Sequence, residues 1–467
     1  MGILQSASRI HVVGAGGIGV SAVARLLRHE GKAVTGSDVA RNETVDELIE
    51  GGIPVSIGHH ATNLPADADL VVYSGAVPAT NPEREEAARR GVRQLSYFEF
   101  IGEFSKEKWT IAVSGTNGKS TTTALLGLML ERGGFEPTVI VGSKVTSFPG
   151  KNLRLGRGKF FVVEGCEHEA NILKLSPQMI VLTNIEEDHL DFYRDLAHIR
   201  DTFKEYVRRL PPDGQLILNA DDHVSFYELA PTVPFTTYAM DNPADYVARH
   251  AAVSTGMQTF QIVRTRGGKE EAVGDFALGV PGRFNVMNAL AAATAALELG
   301  VSADAIKATL REFTGIWRRF ERVGERKGAV IVSDYGHHPT AIRGTLEAAR
   351  SFYPDRRIVL AFQPHQHNRT RKLFDEFVAS FDGADLVLLS EVFDVAGREV
   401  AKDRVSSREL VASTQARDSE RGVRREVLYG GSLDETFSRL EALIRPDDLV
   451  LVVGAGDIYT LAKRLIA

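Results

Sequence analysis

The sequence predicts an α/β protein of three domains, each built on a mainly parallel sheet covered by helices. Short apolar runs alternate with longer segments of helical period almost throughout, which is the pattern of strand–helix units. The alternation restarts three times, each time with a glycine-rich or polar loop after the opening strand. The restarts divide the chain into residues 1–107, 108–321 and 322–467. A prior of about 150 residues per domain also suggests roughly three.

In the first unit, strands are expected at Ile10–Val13 and Leu70–Tyr73, and the polar stretch Ser105-Lys106-Glu107-Lys108 reads as a linker. The second should carry strands Ile111–Ser114, Phe160–Glu164, Ile180–Thr183 and Leu216–Asn219, with helices Thr121–Arg132 and Val286–Leu299. Within it, Tyr246–Leu278 alternates in period two and contains the turn Arg266-Gly267-Gly268-Lys269, so antiparallel hairpins are expected there. The third should carry strands Val330–Ser333, Ile358–Phe362, Leu386–Leu389 and Leu449–Val453, with helices Thr340–Ser351 and Arg371–Phe381.

Composition narrows the function classes. A content of 43% hydrophobic and 25% charged residues is ordinary for a globular protein. A net charge of −6 gives no electrostatic support for nucleic-acid binding. The single cysteine, Cys166, cannot form an internal disulfide, which points to a reducing compartment, the cytoplasm. No apolar run is long enough to span a membrane, and the N-terminus lacks a basic segment leading into an apolar one. Met1-Gly2-Ile3-Leu4-Gln5-Ser6 fits a loose myristoylation pattern but reads as a short lead-in to the first strand.

After the strand ending in Ser114 comes Gly115-Thr116-Asn117-Gly118-Lys119-Ser120, followed by a helix opening on Thr121. This arrangement presents backbone N–H groups and a helix N-terminus to an anion. Lys119 can reach the outer phosphates of a nucleoside triphosphate, and the Ser120 hydroxyl can ligate Mg²⁺. The usual loop has a further glycine five residues before Gly118, where Val113 stands, so this is a shorter variant. Gly14-Ala15-Gly16-Gly17-Ile18-Gly19 forms a second glycine loop, with Asp38 at the distance of a ribose-binding acid. Alone it suggests a dinucleotide. Beside an ATP loop, it fits a nucleotide-linked substrate better.

Glu164 ends one expected strand, and Asn184-Ile185-Glu186-Glu187-Asp188-His189 follows another. Groups at the C-terminal ends of parallel strands converge on the ligand crevice. Glu164 is a candidate for the ATP magnesium, and His189 or Asp188 for a second ion. Cys166, Glu167 and His168 crowd together without zinc spacing, so a polar loop is the expected reading. Two later loops follow strands in the same way, Asp334-Tyr335-Gly336-His337-His338-Pro339 and Gln363-Pro364-His365-Gln366-His367-Asn368-Arg369. Trp317-Arg318-Arg319-Phe320 lies at a unit junction, where an arginine can clamp phosphate.

In this order the motifs, with Gly282-Arg283-Phe284-Asn285-Val286-Met287-Asn288 and Gly454-Ala455-Gly456-Asp457, resemble the Mur ligases of peptidoglycan synthesis over nearly the whole chain. The resemblance implies a Rossmann-like first domain binding the UDP part, a P-loop-type central domain binding ATP, and a Rossmann-like third domain bringing the amino acid. It implies Lys119, Ser120, Glu164 and His189 at the phosphates and a pair of Mg²⁺ ions, with Asn285 and Asn288 at the adenine. Arg319 would be the junction arginine, with Arg318 as its ambiguous neighbour, and Asp334 would lie on the nucleotide side. Gly14, Gly16, Gly17, Ile18, Gly19, Asp38, Ser74, Tyr335, His338 and Arg369 would face the substrates, and Lys119, His189, Arg319 and His337 the chemistry. Three departures stand out: Phe284 where the family often has His, Gln366 where it has an arginine, and Cys166–Asn171 in place of an acidic-serine stretch.

The implied reaction adds L-alanine to the carboxylate of UDP-N-acetylmuramate through an acyl phosphate, with no nucleic-acid or membrane partner and a monomer or homodimer as the working form. Alternatives are a tripeptide ligase of cell-wall recycling on the same acceptor, a pyridine-nucleotide oxidoreductase, and a non-catalytic nucleotide-binding regulator.

Overall fold

The computed structural model describes residues 2–3, 7–189, 192–229, 231, 233–254, 256–394 and 404–467. Most of the lead-in Met1–Ser6 and the last two residues of the stretch 183–191 lie outside them. Among these residues three sheets follow one another along the chain, each from its own contiguous segment.

The first sheet is wholly parallel, in the spatial order Val55–Ile57, Ala33–Asp38, Arg9–Val13, Leu70–Tyr73 and Arg93–Ser96. Its order reverses beside Arg9–Val13, and the crevice at such a switch point is where open α/β sheets bind ligands. The buried Glu83 braces this sheet: it accepts from the Ser37 hydroxyl and from Asn63 at 2.7 Å, and faces His11 at 3.2 Å.

The second sheet has ten strands. Seven parallel ones run from Tyr246–Ser254 through Phe235–Ala239, Gln215–Asn219, Met179–Leu182, Trp109–Ser114 and Phe160–Gly165 to Thr138–Ile140. Met257–Arg266 and Lys269–Leu278 extend one side antiparallel, and Leu153–Arg154 closes the other. The expected hairpin turn is present, with Gly267 and Gly268 both at positive φ (55° and 75°), as a tight two-residue turn requires. Helix Lys119–Arg132 and the alanine-rich helix Arg283–Glu298 lie side by side against this sheet, and both are buried nearly all round. The run of buried alanines along Arg283–Glu298 lets the two helices approach closely.

The third sheet is parallel except at its Glu321–Arg326 edge, in the order Glu321–Arg326, Ala329–Asp334, Asp448–Val453, Arg357–Phe362, Leu386–Ser390 and Glu426–Gly431. Its central strands are apolar on both faces because helices cover both. One expected element is corrected here. The single helix Arg371–Phe381 is two, His367–Lys372 and Phe374–Ser380, broken at Leu373. Leu373 leaves the helical range (φ −108°, ψ 28°), although its N–H still donates to Arg369 O at 3.0 Å and its carbonyl accepts from the Phe377 N–H at 2.9 Å.

Candidate active site

Three strand ends of the second sheet converge on one loop. Gly115 has φ 128° and Gly118 φ 86°, conformations that an L side chain adopts only with strain. A Cβ on Gly115 would strike Thr183, and one on Gly118 would overlap the Asn288 side-chain oxygen. The loop is therefore moulded against the neighbouring strand end and helix. The Thr116 and Asn117 N–H groups donate to the Asn184 backbone and side-chain oxygens, each at 2.9 Å, and the Thr183 hydroxyl donates to Asn117 O at 2.6 Å. Ser120 and Thr121 open the helix and are buried.

The Lys119 ammonium donates to Gly115 O at 2.5 Å, to Thr116 O at 3.1 Å and to Glu167 at 2.9 Å. Burial works against its charge, but Glu167 and the neighbouring acids outweigh it and hold Lys119 above its ordinary range. Glu167 is itself buried, and its second carboxylate oxygen has no hydrogen-bond partner among the described residues. Ser120 donates to Glu164 at 3.0 Å, and the Gly142 N–H donates to the other Glu164 oxygen at 2.5 Å. Burial raises the Glu164 carboxyl despite those donors. The His189 ring nitrogen lies 3.6 Å from Glu167, and the His168 ring lies 4.6 Å from that of His189. Burial pushes the Cys166 thiol up to about 12, so it is no nucleophile near neutrality.

The third domain closes over this loop. The Arg369 guanidinium reaches Asp188 at 2.7 Å, both side chains being 8% exposed, and His337 lies 3.6 Å from the other Asp188 oxygen. Burial alone would raise Asp188, yet His337 and Arg369 hold it well below the usual carboxylate range. Burial, reinforced by Arg369, pushes His337 down to about 4, and burial with His337 pushes His365 down to about 3. His338 caps helix Pro339–Phe352 and lies 3.7 Å from Glu186.

A cavity of about 680 Å³ runs between the two domains, lined among others by Asn117, Thr121, Asn288, Phe284, Arg319 and Asp334. Asn288 faces it. Asn285 sits behind, accepting from Asn288 at 3.3 Å and donating to Pro281 O at 2.6 Å, so it supports the wall without forming it. Asp334 lines the cavity, but its oxygens are engaged by the Phe320 and Gly336 N–H groups, both at 2.7 Å. The two junction arginines turn in different directions. Arg318 is buried and donates to Gly454 O and Gly456 O, whereas Arg319 faces the cavity. Tyr335 lies between them, its ring centre 4.9 Å from the Arg318 guanidinium carbon and 4.8 Å from that of Arg319.

On the first sheet, Gly14 (φ 77°) passes so close to Ser74 that a Cβ would sit 2.9 Å from the serine Cβ. Gly17 caps helix Ile18–His29, and a Cβ on Gly19 would press on the Tyr97 ring. Asp38 accepts the Gly16 N–H at 2.7 Å, so its carboxylate shapes the loop directly. Thr183, Asn184, Glu167 and Asp188 hold the site together through contacts that sequence reasoning did not assign. Their signal was present, since all four flank strand ends within motifs already singled out.

Comparison with known proteins follows the same three-part division. Family models match residues 9–109 (Mur ligase family, catalytic domain), 113–296 (Mur ligase middle domain) and 318–456 (Mur ligase, glutamate ligase domain). The chain is 40% identical over 464 residues to a UDP-N-acetylmuramate–L-alanine ligase of Salinibacter ruber, covering 98% of this chain and 94% of that one. It is 38% identical to the protein of the same name from Trichlorobacter lovleyi, covering 98% of each. Among solved structures, UDP-N-acetylmuramate-alanine ligase from Thermotoga maritima superposes with a TM-score of 0.79 at 29% identity, covering 98% of each chain. A murein peptide ligase from Psychrobacter arcticus shares the fold, with a TM-score of 0.71 at 24% identity and 98% of each chain covered. The sequence motifs, the three sheets and these likenesses agree: the chain belongs to the Mur ligase family.

Proposed function

We propose that this protein is an ATP-dependent ligase joining L-alanine to the carboxylate of UDP-N-acetylmuramate. The observation that carries the reading is the likeness, over nearly the whole chain, to proteins of that name. In this reading residues 1–107 take the UDP part on the Gly14–Gly19 loop, with Ser74 beside it. Residues 108–321 take ATP, and residues 322–467 bring the amino acid.

A carboxylate is a poor electrophile, so the substrate carboxylate oxygen first attacks the γ-phosphorus of ATP, and ADP leaves. The amine nitrogen then attacks the acyl carbon, phosphate leaves, and the nitrogen gives up a proton. Little side-chain nucleophilicity is required, so positioning and charge carry the rate. Lys119 exchanges Glu167 for the transferring phosphoryl group, and Arg319 reaches it across the cavity. Arg369 and Tyr335 orient the amino acid, and His337, kept neutral by burial, accepts the amine proton.

The site also fits Mg²⁺. Ser120 and Glu164 offer hard oxygen donors 3.0 Å apart, and Glu167 keeps one oxygen unpartnered among the described residues while its other, shared with Lys119, lies 3.6 Å from His189. Among the described residues no group of three or more His, Cys, Asp or Glu is arranged to hold a metal unaided. That suits an ion completed by substrate phosphates and water. Ser120 and Glu164 would hold one ion and His189 a second. Bound there, Mg²⁺ would neutralise charge on the phosphates.

The test is release of ADP and phosphate with Mg-ATP and UDP-N-acetylmuramate, offering L-alanine, L-serine, glycine or the tripeptide L-alanyl-γ-D-glutamyl-meso-diaminopimelate, with product mass read alongside. Turnover with L-alanine is expected. Turnover with the tripeptide alone would replace the synthetic reading by a recycling one, and ATP binding without turnover would leave a nucleotide-binding regulator.

A further inference from the structure

One short segment of the central domain, residues 142–152, contacts the phosphate-loop acid Glu164, the first domain and the Trp317 junction. It is closed on itself by backbone hydrogen bonds from Val141 N to Asn152 O (3.0 Å) and from Val145 N to Lys151 O (2.9 Å). Val145 and Phe148 root it in the central core. These contacts brace it as one unit.

Four contacts leave this block in different directions. Its first N–H, that of Gly142, holds Glu164 beside the phosphate loop. The Ser143 hydroxyl donates to Trp317 O at 2.8 Å, and the Trp317 N–H donates to Lys144 O at 2.9 Å, which fastens the segment leading into the third domain. The Asn152 amide donates to Ile18 O at 2.5 Å, one residue beyond the Gly17 cap of the first glycine loop, and accepts from Arg25 at 2.9 Å. The Lys144 ammonium reaches Glu43 at 3.0 Å and Glu47 at 3.8 Å on helix Glu43–Glu50, while lying 5.8 Å from the centre of the Trp317 ring.

We propose that residues 142–152 couple the two ligand sites, with Lys144 as the positioning residue that holds the first domain and the Trp317 junction in one register. Occupation of the glycine loop at Ile18 then changes the placement of Glu164 and of the junction that aims Arg319. The inference rests on the assignment of the two loops to a nucleoside-diphosphate sugar and to ATP. Lys144 is suited to the task by geometry: it is mostly buried (18% exposed) and touches both neighbours, whereas Lys151, also paired with Glu43, faces only the first domain. Two sites linked through a shared element must influence each other reciprocally.

Calorimetry on the full chain tests this with a non-hydrolysable ATP analogue and UDP-N-acetylmuramate, each titrated alone and in the presence of the other. In the unaltered protein each ligand is expected to tighten the other at least about fivefold, the lower end of ordinary coupling. Lys144→Met keeps the stem and removes the charge. It should bind each ligand alone within about twofold of normal while the coupling factor falls toward one. Lys144→Arg should retain the coupling. A coupling factor near one in the unaltered protein, or an undiminished factor in Lys144→Met, overturns the proposal. Failure of the unaltered protein to bind either ligand alone would instead overturn the functional reading on which it rests. Should Lys144→Met unfold, the Glu43→Gln/Glu47→Gln pair removes the same contact from the other side, along with the Lys151 and Arg25 pairs, and must give the same loss, whereas Lys151→Met must not.

Discussion

The carboxylate of Asp188, on the central domain, and the guanidinium of Arg369, on the third, meet at 2.7 Å in a setting almost closed to water. Breaking such a pair by removing one partner leaves the other charge buried, which costs about 3–5 kcal/mol if the surroundings stay closed. A hinged protein has a cheaper escape, which is to open and let water reach Arg369. Asp188→Ala is therefore expected to enlarge the radius of gyration in small-angle scattering and to lower the urea midpoint of the third domain. Unchanged values of both would show that the pair does not hold the cleft shut.

The same cleft should loosen in acid. His337 and His365 are held neutral by burial, at about 4 and about 3 against an ordinary 6.5. Between those values the unfolded or opened chain binds more protons than the closed one, so stability rises with pH across that window. Their contribution is complete above about pH 6.5 and is lost as the pH falls toward 4 and below. Asp188, held far below its usual range, stays charged throughout the upper part of this window. Thermal unfolding of the protein and of His337→Gln at pH 7 and pH 5 checks the sign. The variant should lose less stability on acidification.

Lys119→Ala should lower kcat more than about a hundredfold, the ordinary worth of one electrostatic donor at a transition state. ADP release under saturating substrates is the measurement. Near-normal turnover would remove Lys119 from the chemistry.

Arg318 and Arg319 should separate cleanly. Arg318→Ala strips two carbonyls and an aromatic pair of a buried guanidinium, so unfolding free energy should fall by about 2–3 kcal/mol. Arg319→Ala should leave the melting temperature within a few degrees while kcat falls about a hundredfold. Paired thermal scans and initial rates distinguish this pattern from its reverse.

Gly118→Ala forces a Cβ onto the Asn288 side chain from a left-handed backbone. The expected result is a folded protein whose ATP affinity is reduced more than about tenfold, by isothermal titration, since the loop must shift off its phosphate-binding shape.

Legibility in the sequence followed burial and period. Strands such as Ile111–Ser114 and Leu449–Val453 were plain because both faces are covered, which leaves near-continuous apolar runs. Ala33–Asp38, Val55–Ile57 and Arg93–Ser96 were not singled out, because polar or small residues dilute the pattern and two of them are short sheet edges. The break at Leu373 was invisible because both halves share a helical period. In the site, the glycine loops and strand-end acids were legible as local patterns. The meeting of Asp188 with Arg369 was not, since 181 residues separate them and only tertiary folding joins them. Arg318 and Arg319 are chemically alike in one dimension, and their roles diverge only when one turns inward.

The strand order of the third sheet bears on how the chain is made. Asp448–Val453 lies between Ala329–Asp334 and Arg357–Phe362, so it is inserted into the middle of a sheet whose other strands are synthesised earlier. Domains fold as units behind the ribosome, the N-terminal ones first. Here the first two sheets can close in turn during elongation, while the third must wait with an open seam until residue 453 has emerged. The nascent chain thus acquires its nucleotide-binding loops well before the part that completes the enzyme, and any ribosome stalled short of that strand would display an unpaired apolar gap to the cell's chaperones.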